Sequence, residues 1–417
     1  MTPPTADDWP TYHRDPVRSG AAPGPPWRAV APAWHAALDG DLYAEPLVVG
    51  GRVIAATAND TVYALDLDSG RVVWHVHLAA PVPLAHLPCG DVDPVGITGT
   101  PVADPARQIL YVAAMAAPVH HELYAMSLSD GSVLWHRAID APGADPRVHN
   151  QRGALALAGG LVYVPFGGQY GDCGNYHGEL VAVRASGGGP LSSFRVPSAR
   201  AAGLWAPPGP SLGPAGQLYV TTGNSFTGGP FDFGDSVLQL SQALRLDGWF
   251  AAPDWAYRDS ADADLGSVGP TLLPGGLIFQ TGKLGTAYLI STAHMGGVGG
   301  QIFSGTVCDS AYGGTAYAGG LVYVPCLDGL VAVRVGSASF QVAWRSAPFH
   351  AEPPIVAGGL VWTVDRDSAE LLGLDPRSGR VSRRFPLGRV VHFVTASESA
   401  GVLLVGAGAS IRAFRGS

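Results

Sequence analysis

The sequence predicts an all-β protein: a single eight-bladed β-propeller made of four-stranded antiparallel blades, with the last blade closed by the N-terminal strand. Three observations support this fold class. A strand-rich repeat of about 40–60 residues runs along the whole 417-residue chain. Each copy ends in an outer strand, and an unpaired copy of that outer strand stands at the start of the chain.

The repeat is clearest in two early copies. Residues 52–74 read RVIAATANDTVYALDLDSGRVVW, and residues 109–135 read ILYVAAMAAPVHHELYAMSLSDGSVLW. Each holds an apolar strand, a polar turn, a second alternating strand, a D-S-G or S-D-G turn and a third strand that ends in Trp. Apolar residues at every second position, with Gly and Asp in the turns, indicate β-hairpins. A Gly-rich strand precedes each copy, as in GITGTPVAD, so the unit corresponds to one four-stranded blade.

The outer strands give the number of blades. Seven of them end near Trp74, Trp135, Phe194, Trp249, Phe303, Trp344 and Arg383. An eighth set of three strands, 392–415, reaches the C-terminus without an outer strand, and APAWHAALDG, which contains Trp34, matches the outer strand VVWHVHLAAP. We expect this N-terminal strand to complete blade eight and so remove the open sheet edges.

Residues 28–417 are therefore predicted to be one propeller domain, and residues 1–27 an N-terminal extension that packs on it. A large β-sandwich or two smaller propellers would also give regularly spaced strands. Neither alternative explains the matching outer strand at the start of the chain.

Composition restricts the partners. The formal net charge of −8 argues against broad binding to nucleic acid or anionic membranes. No apolar run reaches the roughly 20 residues that cross a bilayer, so no transmembrane segment is expected. We expect a monomer. Of the 25 Lys and Arg residues, only Lys283 is a lysine.

The compartment depends on the start of the chain and on the cysteines. MTPPTADDWP lacks the basic and apolar regions of a secretory signal, so we expect a cytoplasmic protein if Met1 is the native start. An extracellular or cell-envelope protein is expected if a leader has been removed. The four cysteines, Cys89, Cys173, Cys308 and Cys326, have no C-x-x-C spacing. Two disulfides, which would favour export, and four isolated buried thiols are the alternatives, and we favour the disulfides.

Polar and aromatic residues recur where the chain leads into each blade. The first strand of a propeller blade lines the central channel, and the loops before these strands form a funnel at one face. From blade one to blade eight, these positions hold Tyr43, Glu45, Thr98, Thr100, Gln151, Arg152, Trp205, Asp262, Asp264, Tyr312, His350, Glu352 and His392. We predict that the funnel binds a small molecule, the alternative being a solvated polar lining.

The repeat phrase VYALDLDSGRVVW resembles the repeat of the pyrroloquinoline-quinone (PQQ) dehydrogenases and their non-catalytic relatives. The resemblance covers essentially the whole chain. VTTGNSFTGG and ADADLGSVGPTLL followed by FQTGKLGTAYLIS resemble polyvinyl-alcohol-dehydrogenase-like proteins. CGDVDPVGITGTPV, YHGELVAV and VYVPCLDGLVAV resemble uncharacterised actinobacterial PQQ-like propeller proteins. The repeat by itself implies the fold and not the chemistry.

The resemblance implies a set of cofactor residues. Trp205 matches the tryptophan on which the quinone stacks, and Asp264, or its neighbour Asp262, matches the catalytic aspartate. Lys283 matches the cation at the reactive carbonyl of the quinone, and we predict Arg152 as a further cofactor contact. Asn224 of TTGN matches an ion ligand. Calcium prefers hard oxygen ligands, so Asn224 with Asp172 would hold a Ca²⁺ ion beside the quinone.

The chain also departs from that family. Cys173 stands where the family's ion-ligating Glu is expected, and Asp172 is out of register with it. The family's pair of adjacent cysteines over the cofactor is missing, and Cys89 alone lies in that region. By the same resemblance Cys89 and Cys173 both lie near the funnel, where they could pair. Cys308 and Cys326 could bridge consecutive blades. No CxxCH occurs, so no attached haem is expected.

Three functions remain open at this point. The first is a quinoprotein-type alcohol dehydrogenase with a degenerate cofactor site. The second is a propeller that uses the funnel for another small ligand or a non-redox reaction, with His350, Glu352, His392 and Asp264 as acid–base groups or ion ligands. The third is an interaction scaffold whose blade faces bind a partner.

Overall fold

A computed structural model describes residues 7–417. These residues form eight antiparallel sheets with four main strands each. The innermost strand of each blade packs beside that of its neighbour, including Leu47–Val49 of blade one and Ser397–Ser399 of blade eight. The predicted eight-bladed propeller is confirmed. No helix within residues 7–417 is long and apolar enough to cross a membrane.

The first four blades follow one another along the chain. Blade one contains Leu47–Val49, Arg52–Ala56, Thr61–Asp66 and Val72–His77. Blade two contains Val102–Asp104, Ile109–Ala116, His120–Ser127 and Val133–Ala138. Blade three contains Ala156–Ala158, Leu161–Gly168, Glu179–Arg184 and Ser192–Arg195, with His149–Asn150 paired to its second strand. Blade four contains Ser211–Leu212, Leu218–Thr221, Ser236–Leu240 and Leu246–Ala251, with Gly297–Val298 paired to its outer strand.

The remaining blades complete the ring. Blade five contains Thr271–Leu273, Leu277–Gln280, Thr286–Ser291 and Phe303–Thr306. Blade six contains Ala316–Ala318, Leu321–Cys326, Gly329–Val335 and Phe340–Arg345. Blade seven contains Ile355–Ala357, Leu360–Asp365, Glu370–Leu374 and Val381–Pro386. Blade eight contains Ser397–Ser399, Val402–Gly406, Ser410–Gly416 and, as its outer strand, Val30–Ala37. The helices are the α-helix Trp255–Ser260 and the 3₁₀ turns Leu84–His86 and Leu265–Ser267.

The ring closes as the sequence predicts. Val30–Ala37 runs antiparallel to Ser410–Gly416, so that Trp34 lies opposite Ala413. The N-terminal strand is thereby the outermost strand of blade eight, and Ser397–Ser399 is the innermost. The two edges of this sheet therefore come from opposite ends of the chain.

One contact between neighbouring blades explains why the repeat carries both a Trp and a D-S-G turn. The Trp34 indole donates to the Leu67 carbonyl, at 2.9 Å, and its ring covers Gly70 of the blade-one turn. Gly70 has φ +68°, and a Cβ there would lie 2.6 Å from Trp34 Cδ2, so the turn favours glycine on both counts. The same ring-on-glycine packing joins Trp74 to Gly131, Trp135 to Gly187 and Trp344 to Gly379.

The apolar core lies between neighbouring sheets. Tyr111 and Leu123 of blade two pack with Val162 and Val164 of blade three, for example, and all four are fully buried. Alternating residues of each inner strand supply these contacts, which is why the strands read as alternating or wholly apolar segments.

Residues 8–22, here called the N-terminal segment, cross the central channel. Backbone hydrogen bonds join it to inner strands around the ring, at Val48, Ala103, Leu212, Tyr317 and Val356. Arg18 is 3% exposed and donates to the carbonyls of Leu155 and Pro210. This segment therefore fills the channel and satisfies backbone groups of several blades at once.

We predict that Trp34→Ala weakens ring closure. The substitution removes a half-buried indole together with its hydrogen bond, and a loss of about 2–3 kcal/mol in the free energy of unfolding is expected. The shift in the urea midpoint measures it. Tyr257→Ala, at a ring that is 61% exposed, is the matched control and should stay within about 0.5 kcal/mol. Equal midpoints for the two variants would contradict the closing role of Trp34.

Candidate functional site

The channel opens into a cavity of about 700 Å³. Ten of the residues selected from the sequence line it: Arg152, Asp172, Trp205, Asp262, Asp264, Lys283, Tyr312, His350, Glu352 and His392. They come from blades three to eight. The loops that lead into the blades, with two loops inside blades three and five that carry Asp172 and Lys283, thus place these side chains around one space, as expected for a propeller funnel.

The N-terminal segment closes the far end of this cavity. In five of the eight blades, a cavity residue precedes a residue that contacts the segment. The pairs are Arg152 and Leu155, Trp205 and Pro210, Tyr312 and Thr315, Glu352 and Val356, and Phe393 and Thr395. In these blades the chain therefore runs from the cavity towards the segment.

Six selected residues are not part of the cavity wall: Tyr43, Glu45, Thr98, Thr100, Gln151 and Asn224. Glu45 is buried and accepts hydrogen bonds from the Trp9 indole and the His13 amide, at 3.0 and 2.7 Å. Its carboxylate therefore holds the N-terminal segment. Gln151 is also buried and donates to the Gly153 carbonyl. Asn224 lies behind the wall, next to Gly223, which lines the cavity.

Trp205 and Asp264 meet at a glycine. A Cβ at Gly223 would collide with Asp264 Oδ1 and lie 2.9 Å from Trp205 Nε1. Gly167 supports the other side of Trp205, where a Cβ would lie 2.9 Å from the Trp205 Cβ. The indole is partly exposed towards the cavity, and the two glycines allow it to pack closely against the backbone. A flat ligand could stack on such a ring.

Lys283 is held between two aspartates. Its Nζ lies 2.5 Å from Asp264 Oδ2 and 2.8 Å from Asp262 Oδ1. Asp264 is 6% exposed, whereas the Asp262 side chain is 62% exposed. Burial raises the pKa of Asp264, while Lys283 and the Asn224 amide oppose that rise. Burial alone would lower the pKa of Lys283, but the carboxylates of Asp264 and Asp262 raise it above its ordinary value.

Polar groups behind the wall fix Asp264. The backbone N–H of Asn224 donates to Asp264 Oδ1 at 2.7 Å, and the backbone N–H of Leu265 donates to Asp235 Oδ1 at 2.8 Å. The Asn224 side-chain amide donates to the Arg258 carbonyl. Asn224 Oδ1 and Asp235 Oδ2 are buried and have no hydrogen-bond partner among residues 7–417. The Asp264 carboxylate is therefore positioned by a backbone N–H of the protein rather than by the solvent.

Arg152 supplies a positive charge on another part of the wall. It is 6% exposed, donates to the Thr98 carbonyl at 3.0 Å and lies against the rings of Tyr43 and Phe393. No carboxylate in the described part of the chain forms an ion pair with it, and its Nε has no partner there. A guanidinium that is buried without a counter-ion favours an anionic ligand, because the ligand would offset the desolvation of the charge.

The buried Glu352 and the partly buried His392 lie near this guanidinium. Burial raises the pKa of Glu352 to about 8, against the opposing effect of Arg366, whose Nε lies 3.8 Å from Glu352 Oε1. Burial and the charge of Arg152 lower the pKa of His392 to about 3. At neutral pH the carboxyl is therefore mostly protonated and the imidazole neutral, so both offer hydrogen bonds rather than charge.

Both predicted disulfides are present. Cys308 follows the last strand of blade five and pairs with Cys326 of blade six. Cys89 pairs with Cys173, with 6.1 Å between their Cα atoms. This second bridge joins the segment that carries Asp91 to the loop that carries Asp172, and both of these residues line the cavity. It therefore ties together two parts of the cavity wall.

Several wall residues were missed in the sequence. They are Asp91, Gln169, Tyr170, Tyr176, Arg366 and Phe393. Most lie in turns between strands or in long loops, whereas the selection rested on the positions directly before the first strands and on the family resemblance. Asp91, two residues after Cys89, could have been found from the proximity expected of Cys89 and Cys173. For Arg366, in a hairpin turn, the sequence carries no comparable signal.

The wall suits a flat organic anion better than a divalent ion. Trp205 offers a ring face, and Arg152, Arg366 and Lys283 offer positive charge. Of the predicted ion ligands, Asn224 Oδ1 is uncommitted but behind the wall, and Asp172 Oδ1 accepts the Tyr176 hydroxyl at 2.5 Å. Calcium needs six to eight oxygen ligands, which these residues do not provide together.

We predict that Glu352→Gln changes the pH dependence of stability. Between the ordinary pKa of 4.5 and the folded value of about 8, the unfolded chain has lost this proton and the folded chain keeps it. The wild type should therefore lose stability relative to the variant as pH rises from 5 to 8, by at most about 1.4 kcal/mol per pH unit. Urea unfolding at several pH values measures the difference in stability between the wild type and the variant. The other titrating groups are the same in both proteins, so their contributions cancel. Parallel stability curves would contradict the raised pKa.

The comparisons agree with this fold. The family model described as outer membrane protein assembly factor BamB matches residues 31–225. The polyvinylalcohol dehydrogenase of Sphingopyxis sp. (strain 113P3) is 25% identical over 232 residues, which is 50% of this chain and 33% of that protein. A second polyvinylalcohol dehydrogenase, from Pseudomonas sp., is 24% identical over 229 residues. The match thus spans about a third of the length of these curated relatives.

Solved structures show the same architecture. The quinohemoprotein alcohol dehydrogenase from Comamonas testosteroni superposes with a TM-score of 0.73 and 15% identity, over 98% of this chain and 80% of that one. A europium-containing methanol dehydrogenase gives a TM-score of 0.73 and 13% identity, over 99% and 98% of the two chains. Identities this low establish the fold alone. Together with the sequence relatives and the family model, they support a β-propeller of the PQQ-dehydrogenase-like type.

Proposed function

We propose that the protein is a quinoprotein-type oxidoreductase that oxidises an alcohol at the cavity face formed by Trp205, Asp264 and Lys283. The observation that carries the proposal is the close packing at Gly223, which brings the indole and the aspartate together, with the chain's single lysine on the same carboxylate. The polyvinylalcohol dehydrogenases support an alcohol as the substrate class.

The proposed roles follow from the contacts. Trp205 would carry the flat face of a quinone, and Arg152 and Lys283 would hold its negative groups. A bound quinone supplies an acceptor for the two electrons and two protons that leave an alcohol on oxidation to a carbonyl. Asp264 Oδ2 faces the cavity beside Lys283 and would take the hydroxyl proton of the alcohol.

The charges around Asp264 serve that step. A general base must be ionised when the substrate arrives, and burial opposes ionisation. The Lys283 ammonium and the Asn224 amide both stabilise the carboxylate, so they keep a buried group basic without exposing it to water. Asp262 contacts the same ammonium from the solvent side, so that Lys283 is shared between two carboxylates.

A different anionic ligand is the second candidate. It is favoured by Arg152, whose buried guanidinium has no ion pair among the described residues, together with the protonated Glu352 beside it. These groups would bind a carboxylate without any redox chemistry. For either ligand, two disulfides support the expectation that the protein works in an oxidising compartment.

Binding is tested by titrating the purified protein with PQQ and following tryptophan fluorescence. Wild-type fluorescence should be quenched in a saturable way, because the quinone would lie on Trp205. Trp205→Phe should lose most of that quenching and weaken binding about tenfold or more. Trp344→Phe, on an outer strand, is the control and should behave like the wild type. Quenching that is equal in both variants would place the quinone elsewhere.

Catalysis is tested with dye-linked oxidation of alcohols. Asp264→Asn should lower kcat by about 100-fold or more, since the base is lost while the shape is kept. Asp262→Asn, at an exposed side chain, should lower it far less. PQQ binding without any turnover on primary, secondary or polymeric alcohols would favour the non-redox candidate. Equal effects of the two substitutions would remove Asp264 from the proposed role.

A further inference from the structure

We propose that the disulfide between Cys89 and Cys173 locks a strap across one side of the cavity, so that reduction of this disulfide by a dithiol opens the cavity. The strap is residues 82–95, which lie between the outer strand of blade one and the inner strand of blade two. The disulfide would control access in this way whichever ligand the cavity binds.

The strap is anchored at its base without the disulfide. Val82 and Val95 exchange two backbone hydrogen bonds, at 2.9 and 2.8 Å, which close the loop. Asp60 of blade one lies at the same end. Its carbonyl accepts the backbone N–H of Leu78 at 2.8 Å, and a Cβ at Gly96 would lie 2.5 Å from Asp60 Oδ1. The base is therefore fixed to blade one by contacts that involve neither cysteine.

The tip of the strap reaches two other blades. Cys89 is bonded to Cys173, in a loop of blade three. Asp91 Oδ2 lies 3.8 Å from Nδ1 of His392, in the loop that leads into blade eight. Blades one and two lie between blades eight and three in the ring, so the strap crosses above both of them.

The strap takes the place of blades one and two in the cavity wall. Asp91 and Val92 line the cavity, and the other described lining residues belong to blades three to eight or to the loops that lead into them. Tyr43, Thr98 and Thr100, which lead into blades one and two, are not part of that wall. Movement of the strap would therefore widen the cavity on the side of these two blades.

Apart from the disulfide, the tip is held by few contacts with the ring. Leu87 and Val92 are buried. The backbone N–H groups of His86 and Leu87 donate to carbonyls of the strap itself, and that of Leu84 donates to Asp93 Oδ1, also in the strap. A segment with few buried side chains and mainly internal hydrogen bonds opens locally at a low cost in free energy. Cleavage of the disulfide should therefore free the tip while the base stays in place.

The two disulfides of the chain differ in exposure. Cys89 and Cys173 are both partly exposed. Cys308 and Cys326 are buried, at 3% and 1% exposure. Reduction requires a thiolate to reach one of the sulfurs, so a dithiol should attack the strap disulfide first. In this exchange the dithiol gives up two electrons and two protons and becomes a disulfide, and the two strap cysteines become thiols.

Selective reduction is tested by titrating the oxidised protein with dithiothreitol, trapping free thiols with iodoacetamide and identifying the labelled peptides by mass spectrometry. Cys89 and Cys173 should be labelled at a reductant concentration lower by about tenfold or more than the buried pair requires. Reduction of both disulfides together, or of the buried one first, would contradict the proposed selectivity.

Opening of the strap is tested by hydrogen–deuterium exchange of the oxidised and the selectively reduced wild type. The backbone N–H groups of Leu84, His86 and Leu87 should exchange faster by about tenfold or more after reduction, because the tip then opens. Those of Val82 and Val95, at the base, should keep their rates and serve as internal controls.

Two double variants separate the disulfides. Cys89→Ser with Cys173→Ser should exchange like the reduced wild type without any reductant. Cys308→Ser with Cys326→Ser is the matched control, and its strap should exchange slowly until dithiothreitol is added. A strap that exchanges at the oxidised wild-type rate in the first variant would show that the disulfide does not hold it.

Access to the cavity is measured by acrylamide quenching of tryptophan fluorescence, taken as the difference between the wild type and Trp205→Phe. Selective reduction should raise the quenching of Trp205 by about twofold or more, because acrylamide enters a wider cavity. Strap exchange and Trp205 quenching that both stay unchanged in the reduced protein would overturn the inference. Neither measurement uses a quinone, so failure of the proposed redox function is distinguished from failure of this proposal.

Discussion

Four of the eight junctions between blades, including the closing one, share one contact: the tryptophan of an outer strand lies on the turn glycine of the next blade. Each indole covers a glycine whose positive φ forms the turn, as at Trp34 and Gly70, Trp74 and Gly131, and Trp344 and Gly379. Side-by-side sheets share few backbone hydrogen bonds, so the angle between blades has to be fixed by side chains. Trp34 of blade eight packs on Gly70 of blade one in the same way. The contact that closes the ring is therefore of the same kind as those between consecutive blades.

The N-terminal segment turns a channel into a cavity. Arg18 and Glu45 are charged groups in the middle of the ring, and they are tolerated because backbone carbonyls, a backbone amide and the Trp9 indole hydrogen-bond to them. On the other side of the same strands, Arg152 and Glu352 are also buried, but with unpaired atoms. A ligand that hydrogen-bonds to such unpaired buried groups on a cavity wall gains the most binding free energy, because it relieves their desolvation penalty.

Asp264 and Lys283 show how the wall combines a base with a permanent cation. Burial of Asp264 favours its neutral form. Lys283 and the backbone N–H of Asn224 favour the ionised form and so oppose the rise in pKa. The covalent pairing of Cys89 with Cys173 adds rigidity to the opposite loops and removes both sulfurs from any role as ligands.

The sequence by itself determined the blade, the number of blades, the closing strand and ten residues of the cavity wall. The fold and eight of these wall residues follow from local patterns, since alternation, turn residues and the position before a first strand are properties of short segments. Asp172 and Lys283 were indicated by the family resemblance. Only the tertiary structure decided that Glu45 and Gln151 serve the channel interior, that Asn224 lies behind the wall, and that Arg366 and Asp91 reach the cavity. Their places depend on where turns of different blades meet, which is set by the packing between sheets and leaves no periodic trace in the chain.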